Sequence, residues 1–154
     1  MRSHLATAAL VLLVLPLSGC LSDDPPRGSE EDLRFDVQLS TASMQPGQSV
    51  TIRVILTSVS PASVQVTFNT SKTADVLITN PATLDHPFSS SEGRNYAQVR
   101  TSVDVPEFSS TVLLEVAWDG RYTNGTDAPP GEYRVVAQAA DHPQWVAQKM
   151  LSIQ

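Results

Sequence analysis

The chain has 154 residues, of which 41% are hydrophobic, and it carries 10 basic and 16 acidic side chains, for a net charge of −6 at pH 7. An acidic surface repels nucleic acid, so the composition excludes a nucleic-acid-binding protein, which needs a clustered basic patch. The single cysteine excludes an intrachain disulfide, so a domain of this size must be stabilised by core packing.

A short basic start and an apolar run open the chain. The run over residues 5–15 is shorter than the roughly 20 residues of a transmembrane helix, and it has the length of a signal-peptide hydrophobic region. The segment Leu17-Ser18-Gly19-Cys20 then resembles the lipobox of prokaryotic lipoproteins. The resemblance implies cleavage before Cys20 and a diacylglyceryl group on its sulfur. The alternative is an ordinary secretory signal with a chance cysteine.

We therefore expect residues 1–19 to be a lipoprotein signal peptide and Cys20 to be the lipidation site. This places the mature protein on the extracytoplasmic face of the cell membrane, either periplasmic or at the cell surface, with the membrane as a partner through the lipid. Residues 20–32 are acidic, contain two prolines and show no apolar period, which predicts a flexible linker. The folded domain is expected over residues 33–154.

From Leu33 onward, apolar and polar residues alternate with a period of two, as in half-buried antiparallel strands. Turn residues such as Pro46-Gly47, Ser60-Pro61 and Asn80-Pro81 separate the runs. The runs lie at 33–39, 50–57, 64–68, 75–79, 96–103, 112–118, 133–139 and 144–153. The pattern predicts an all-β fold, namely an immunoglobulin-like antiparallel β-sandwich of seven or eight strands without a disulfide.

In the sixth run, Val112, Leu114, Val116 and Trp118 share one phase and are all expected in the core. The stretch from Pro81 to Asn95 lacks a clear period and is interpreted as a mobile loop with at most one short strand.

The loop after the sixth run reads Trp-Asp-Gly-Arg-Tyr-Thr-Asn-Gly-Thr-Asp-Ala-Pro-Pro-Gly-Glu-Tyr, from Trp118 to Tyr133. Asp119-Gly120 and Asn124-Gly125 are typical of turns with positive φ. Pro129-Pro130 stiffens the return to the next strand because proline fixes φ. The Tyr133 hydroxyl is expected to bond loop backbone, as in a tyrosine corner.

This motif resembles the intracellular proteinase inhibitor family (BsuPI-like domains), as do other segments in the same order. Met44 to Thr51 looks like the turn that enters the family's second strand, and Leu56 to Phe68 looks like its following hairpin. Ala74 to Ile78 is similar to its Tyr-Asp-Phe strand, with Ala74 in place of the aromatic residue. The family commonly carries a tryptophan on the next strand, whereas residues 84–90 contain none.

The resemblance implies a proteinase-inhibitor-like role with a protease as the protein partner. Two loops, Asp119–Gly131 and Leu84–Asn95, are the candidate contact segments, because a loop stiffened by proline loses less entropy on binding. The candidate binding residues are Trp118, Asp119, Asn124, Asp127, Pro129, Pro130, Tyr133, His86 and Phe88. The alternative function is a structural or protein-interaction module of the cell envelope without inhibitory activity.

The tripeptide Asp-His-Pro occurs twice and places His86 and His142 in turns. They would bind zinc or copper, as in a metal-trafficking lipoprotein, only if the two loops lay at the same end of the sandwich. Asp119, Asn124 and Asp127 supply oxygen atoms of the kind that calcium prefers, but without a calcium-loop spacing. Turn formation explains both groups, so neither a metal nor another cofactor is predicted.

Two catalytic motifs are missing from the sequence. It holds no Gly-x-Ser-x-Gly elbow and no glycine-rich phosphate loop. We therefore expect a binding protein rather than an enzyme.

Overall fold

The computed structural model describes residues 27–154, so the predicted signal peptide, Cys20 and most of the predicted linker lie outside the described residues. A three-residue 3-10 helix, Glu30–Asp32, precedes ten strands. The strands are β1 Leu33–Leu39, β2 Ser43–Met44, β3 Val50–Ser58, β4 Val64–Phe68, β5 Ala74–Thr79, β6 Phe88–Ser89, β7 Thr101–Val105, β8 Ser110–Trp118, β9 Gly131–Ala139 and β10 His142–Ile153. No helix within this range has the length and apolar character needed to span a membrane.

Eight of these strands have five residues or more, and they correspond to the eight alternating runs. The other two, β2 and β6, have two residues each, which is too short to produce a recognisable period. The fifth run is corrected: its strand covers Thr101–Val105 rather than 96–103, and residues 95–100 are irregular.

The strands form a three-stranded sheet with the order β1-β3-β8, a five-stranded sheet with the order β2-β10-β9-β5-β6, and a β4-β7 ribbon. Nearly all pairs are antiparallel, and the exception is β2, which pairs with the end of β10 in parallel. The predicted all-β, immunoglobulin-like sandwich without a disulfide is thus confirmed, with one short parallel pair added.

The two larger sheets face each other across the main core. Alternate residues of β3 and β8 on one side meet alternate residues of β5, β9 and β10 on the other, as the period-two pattern requires. Val50, Ile52, Val54, Trp118, Val76, Ile78, Tyr133, Val135 and Leu151 are almost completely buried there.

A second core cluster lies next to the main core, beneath the β4-β7 ribbon. Val64, Val66 and Phe68 of β4 pack there with Leu56 and Trp145. The ribbon therefore continues the sandwich beyond the main core and covers the region where the chain enters β1 at Leu33.

The prediction that Val112 lies in the core is wrong, because β8 contains a β-bulge. Val54 of β3 pairs with Leu114, and the next residue, Ile55, pairs with Val112, which leaves Leu113 without a partner on β3. The extra residue reverses the phase of the strand at this point. As a result, Val112 is 51% exposed, whereas Leu113 packs against both core clusters.

The predicted linker also needs a correction at its C-terminal end, where the chain joins the domain. The backbone N–H of Gly28 donates to the carbonyl of Ser63 at 2.9 Å, and Val59 N–H donates to the carbonyl of Asp32 at 3.0 Å. Ser29 caps the 3-10 helix, and the Asp32 carboxylate accepts from the Ser29 N–H. Within the described residues, backbone contacts with the domain therefore extend to Gly28, five residues before Leu33.

The loop between β5 and β7 contains one short strand, β6, and is fastened to β5 through Asp75. The Ser90 hydroxyl donates to Asp75 Oδ1, and Lys72 Nζ donates to Oδ2 at 2.8 Å. Ser90 itself is buried, and its N–H donates to the Val76 carbonyl at 2.9 Å. Burial alone would raise the pKa of Asp75, but hydrogen bonds from Lys72, Ser90 and Ser91 and the charge of Lys72 outweigh it, so the pKa is lowered.

We expect this network to make the stability depend on acid pH. Because the folded-state pKa of Asp75 lies below the unfolded value, its contribution is present above the unfolded pKa and disappears as pH falls through the folded pKa. Asp75→Asn should lower the free energy of unfolding by about 1 kcal/mol at neutral pH, since the pair is partly exposed. Urea denaturation should show this difference in unfolding free energy shrinking as the pH falls through the folded-state pKa of Asp75. Glu132→Gln on the surface of β9 should leave the free energy of unfolding unchanged at neutral and at acid pH.

Candidate functional site

The two candidate loops meet along one groove of about 290 Å³ at one end of the sandwich. One wall comes from β6 and the turn after it, and the other comes from the end of β8 and the loop that follows. Its lining residues are Pro87, Phe88, Ser89, Ser90, Glu92, Arg94, Ala117, Trp118, Asp119, Arg121, Tyr122 and Thr123. The structure thus brings together the two loops that the sequence predicted separately as candidate contact segments.

The loop after β8 folds into a small hairpin, closed by a bridge between Arg121 and Asp127. Tyr122 N–H donates to the Thr126 carbonyl at 2.8 Å, and Arg121 Nε donates to the Asp127 carboxylate at 3.0 Å. The predicted positive φ angles are confirmed, at 77° for Gly120 and 84° for Gly125. The hairpin is thus closed by contacts within the chain itself.

Trp118 joins this hairpin to the core. Its side chain is 1% exposed, and its indole N–H donates to the Arg121 carbonyl at 2.8 Å. The ring also meets Tyr133 edge to face, with 5.6 Å between the centroids. Trp118 is therefore a core residue at the end of β8, as predicted, and it also fixes the base of the groove.

The expected tyrosine corner is present at the start of β9. The Tyr133 hydroxyl donates to the Pro129 carbonyl at 2.7 Å, which anchors Pro129-Pro130 to the core. Burial of the ring, with smaller contributions from Tyr122 and Asp85, raises the pKa of Tyr133 above its ordinary value, although a hydrogen bond with Asn80 partly offsets this.

We expect Tyr133 to resist ionisation until the domain unfolds in alkali. Because the folded-state pKa is raised, the corresponding stability is present below the unfolded pKa of about 10 and is lost as pH rises through the folded pKa. Ultraviolet titration should show part of the tyrosine absorbance change appearing only with the unfolding transition. Tyr133→Phe should remove that late component and lower the free energy of unfolding by about 1 kcal/mol.

A contact across the groove ties the second loop to the hairpin. The Thr123 hydroxyl donates to the Glu92 carboxylate at 2.6 Å. Phe88 is half-buried against the main core, and Arg94 lines the groove opposite Arg121. Glu92, Arg94, Arg121, Tyr122 and Thr123 were not among the predicted site residues, since the contact between the hairpin and the turn after β6 is a tertiary feature.

The predicted residues divide into two sets. Trp118, Asp119 and Phe88 line the groove, and Tyr133 supports it from beneath. Asn124, Asp127, Pro129, Pro130 and His86 are exposed and stand outside the groove lining. A role in binding stays a prediction for the residues of both sets.

The two Asp-His-Pro turns do not form one metal site. Ala74 at the start of β5 pairs with Ala139 beside His142, whereas His86 follows the other end of β5, where Asn80 N–H donates to the Asp85 carbonyl. The His142 ring stacks on Trp145 with 4.4 Å between ring centroids, and its Nε2 lies 3.2 Å from the Thr67 carbonyl oxygen. His142 therefore packs against the second core cluster. Among residues 27–154, no three His, Cys, Asp or Glu side chains are grouped as in a metal site.

Of the three residues considered for calcium, Asn124 and Asp127 have oxygen atoms that are already engaged within the hairpin. Asp127 is paired with Arg121, and Asn124 Oδ1 accepts from both the N–H and the hydroxyl of Thr126, at 3.0 and 2.7 Å. The turn therefore accounts for these polar residues.

A family model described as intracellular proteinase inhibitor (BsuPI) matches residues 37–144. The matched segment contains both walls of the groove, the hairpin and the tyrosine corner. No curated protein matches the chain.

Several solved structures resemble the chain at low identity. A β-glucosidase from Erythrobacter marinus has 15% identity and a TM-score of 0.48, over 79% of this chain and 15% of the enzyme. The CARDB domain of a protein from Pyrococcus furiosus, solved in complex with di-metal ions, has 14% identity and a TM-score of 0.43, over 80% of this chain and 88% of that domain. The alkylpurine DNA glycosylase AlkC from Pseudomonas fluorescens has 11% identity and a TM-score of 0.46, over 80% and 30% of the two chains.

Proposed function

Because the chain belongs to the intracellular proteinase inhibitor (BsuPI) family, we propose that it is a non-enzymatic, proteinase-inhibitor-like binding protein held at the cell membrane. The single observation that carries the inhibitor role is the family match over residues 37–144. The segment Leu17-Ser18-Gly19-Cys20 supports attachment through a lipid on Cys20, with the domain on the extracytoplasmic side. Two acyl chains give stable anchoring, whereas a single chain binds only marginally.

The groove and the hairpin beside it supply the contact surface in this proposal. The hairpin is closed by the Arg121–Asp127 pair and joined to the opposite wall by Thr123 and Glu92. A contact surface that is ordered in advance loses little conformational entropy on binding. A segment of a protease would lie between Phe88 and Tyr122, with its polar backbone groups near Arg94.

The inhibitor role is tested with the full chain in detergent against a panel of serine proteases. We expect the wild-type protein to inhibit at least one of them and Arg94→Glu to weaken that inhibition by about tenfold, because the charge in the groove is reversed. Arg34→Glu makes the same charge change at an exposed site on β1 outside the groove and should leave inhibition unchanged. Undiminished activity of every protease at large molar excess would contradict inhibition.

A role as an envelope interaction module makes a different prediction. In that case, one stable partner that is not a protease would be recovered from membrane extracts by the wild-type protein and by Arg34→Glu, but not by Arg94→Glu.

Membrane attachment is tested separately through Cys20. Replacement by serine removes the only sulfur that can carry the lipid, so Cys20→Ser should move the protein from the membrane fraction to the soluble fraction. Retention of Cys20→Ser at the membrane would overturn the lipid anchor while leaving the inhibition assay unaffected.

A further inference from the structure

The end of the sandwich opposite the groove carries an exposed apolar surface. Phe108, in the turn between β7 and β8, is 70% exposed, and Val59, in the turn between β3 and β4, is 46% exposed. Pro61 and Pro106 are exposed in the same two turns. We call Val59, Pro61, Pro106 and Phe108 the apolar tip.

Hydrogen bonds hold the two turns side by side. Ser58 N–H donates to the Ser109 carbonyl at 2.8 Å, and Phe108 N–H donates to the Ser60 carbonyl at 3.2 Å. The two prolines have no N–H to satisfy. The tip can therefore enter an apolar environment with few unpaired backbone donors, which lowers the cost of removing it from water.

The backbone of Phe108 is strained in a way that presents its ring to the outside. Its φ of 47° lies in the left-handed region, which bulky residues rarely adopt. Such strain persists where the surrounding structure enforces it, and it is concentrated at functional positions. Phe108 is also the second most exposed of the large hydrophobic residues between 27 and 154, after Leu84, whose φ is likewise positive.

The described chain begins at this same end. Gly28 N–H bonds Ser63 beside the β3–β4 turn, and Arg27 Nη1 donates to Gln65 of β4 at 3.3 Å. Leu33, at the start of β1, pairs with Ser58. Six residues lie between Cys20 and Arg27, and this length of chain reaches about 25 Å at most from one Cα atom to the other. A lipid on Cys20 would therefore keep the tip close to the bilayer.

We propose that the apolar tip inserts into the interface of the bilayer and holds the domain upright beside its lipid anchor. This inference rests on the proposed lipidation of Cys20. The anchor supplies the high local concentration that allows a contact of only two large apolar side chains to persist. Trp118 lies at the far end of β8, about 26 Å from Ser110, so the groove would face away from the membrane.

The charges around the tip define the lipid that it accepts. Glu107 adjoins Phe108, and Glu30, Glu31 and Asp32 form the 3-10 helix at the same end, with Arg27 and Arg34 as the neighbouring cations. This acidic surround favours zwitterionic lipid and opposes an anionic surface.

The test uses the full lipidated protein in phosphatidylcholine vesicles. In Glu107→Cys the new thiol is labelled with an environment-sensitive fluorophore, while the Cys20 sulfur is blocked by its lipid. In the matched variant Ser49→Cys, the label lies just before β3, at the groove end. A quencher attached to the acyl chains should quench the label at position 107 at least about fivefold more than the label at position 49. Adding Phe108→Ser should remove most of that difference.

The outcomes separate this inference from the proposed function. Equal quenching at the two positions in vesicle-bound protein overturns tip insertion and leaves lipid anchoring intact. Loss of the difference in phosphatidylglycerol vesicles at low salt, with its return at high salt, supports the role of the acidic surround. If the wild-type protein does not remain with the vesicles and Cys20→Ser behaves identically, the lipid anchor fails and the tip inference fails with it.

Discussion

Replacement of Trp118 by alanine is expected to lower the free energy of unfolding by about 3–5 kcal/mol, a large part of the stability of a domain of this size. The indole is 1% exposed in the main core, and its loss leaves a cavity beside Tyr133. It also leaves the Arg121 carbonyl without its 2.8 Å hydrogen bond. Urea denaturation followed by circular dichroism measures the change directly.

The matched variant Trp118→Phe separates the two contributions. Phenylalanine fills much of the same volume but has no indole N–H, so we expect a cost of about 1–2 kcal/mol. Because the indole also fixes the base of the hairpin, amide exchange at Tyr122 and Ala128 should accelerate in both variants. A cost below about 1 kcal/mol for the alanine variant would contradict the position of Trp118 in the core.

The regular parts of the fold were predictable because they depend on short-range patterns. Alternation placed Val50, Ile52 and Val54 on one face of β3, and the turn residues placed the positive φ angles of Gly120 and Gly125. The tyrosine corner was likewise predictable, since Pro129 and Tyr133 are only four residues apart. Each of these features is fixed by the steric and hydrogen-bonding preferences of neighbouring residues.

The candidate site was only half predictable, because a groove depends on contacts between segments distant in sequence. The bond between Thr123 and Glu92 joins residues 31 positions apart, and no local pattern marks either of them. The separation of His86 from His142 has the same origin. The two identical tripeptides lie at opposite ends of β5 because of the order of the strands in the sheet.

The exposure of the apolar tip could not be predicted from the alternation of apolar and polar residues. Phe108 follows Pro106-Glu107 in a short connection between two alternating runs, where the sequence alone assigns no face. Its exposure results from the left-handed φ of 47° and from the pairing of its turn with Ser60. The direction of the ring is thus a property of the assembled turns.

The β-bulge in β8 leads to the second large expected effect. Simple alternation predicts that truncation of Val112 costs more unfolding free energy than truncation of Leu113, and the bulge reverses this order. Leu113→Ala should cost about 2 kcal/mol of unfolding free energy, since its side chain packs against both core clusters. Val112→Ala should cost less than about 0.5 kcal/mol, because Val112 is 51% exposed on the outer face beside Ile55. Valine has the higher strand propensity of the two residues, so a larger drop in the urea midpoint for Leu113→Ala reports burial rather than strand propensity. A larger loss for Val112→Ala would mean that β8 pairs with β3 without the extra residue, which would return Val112 to the core.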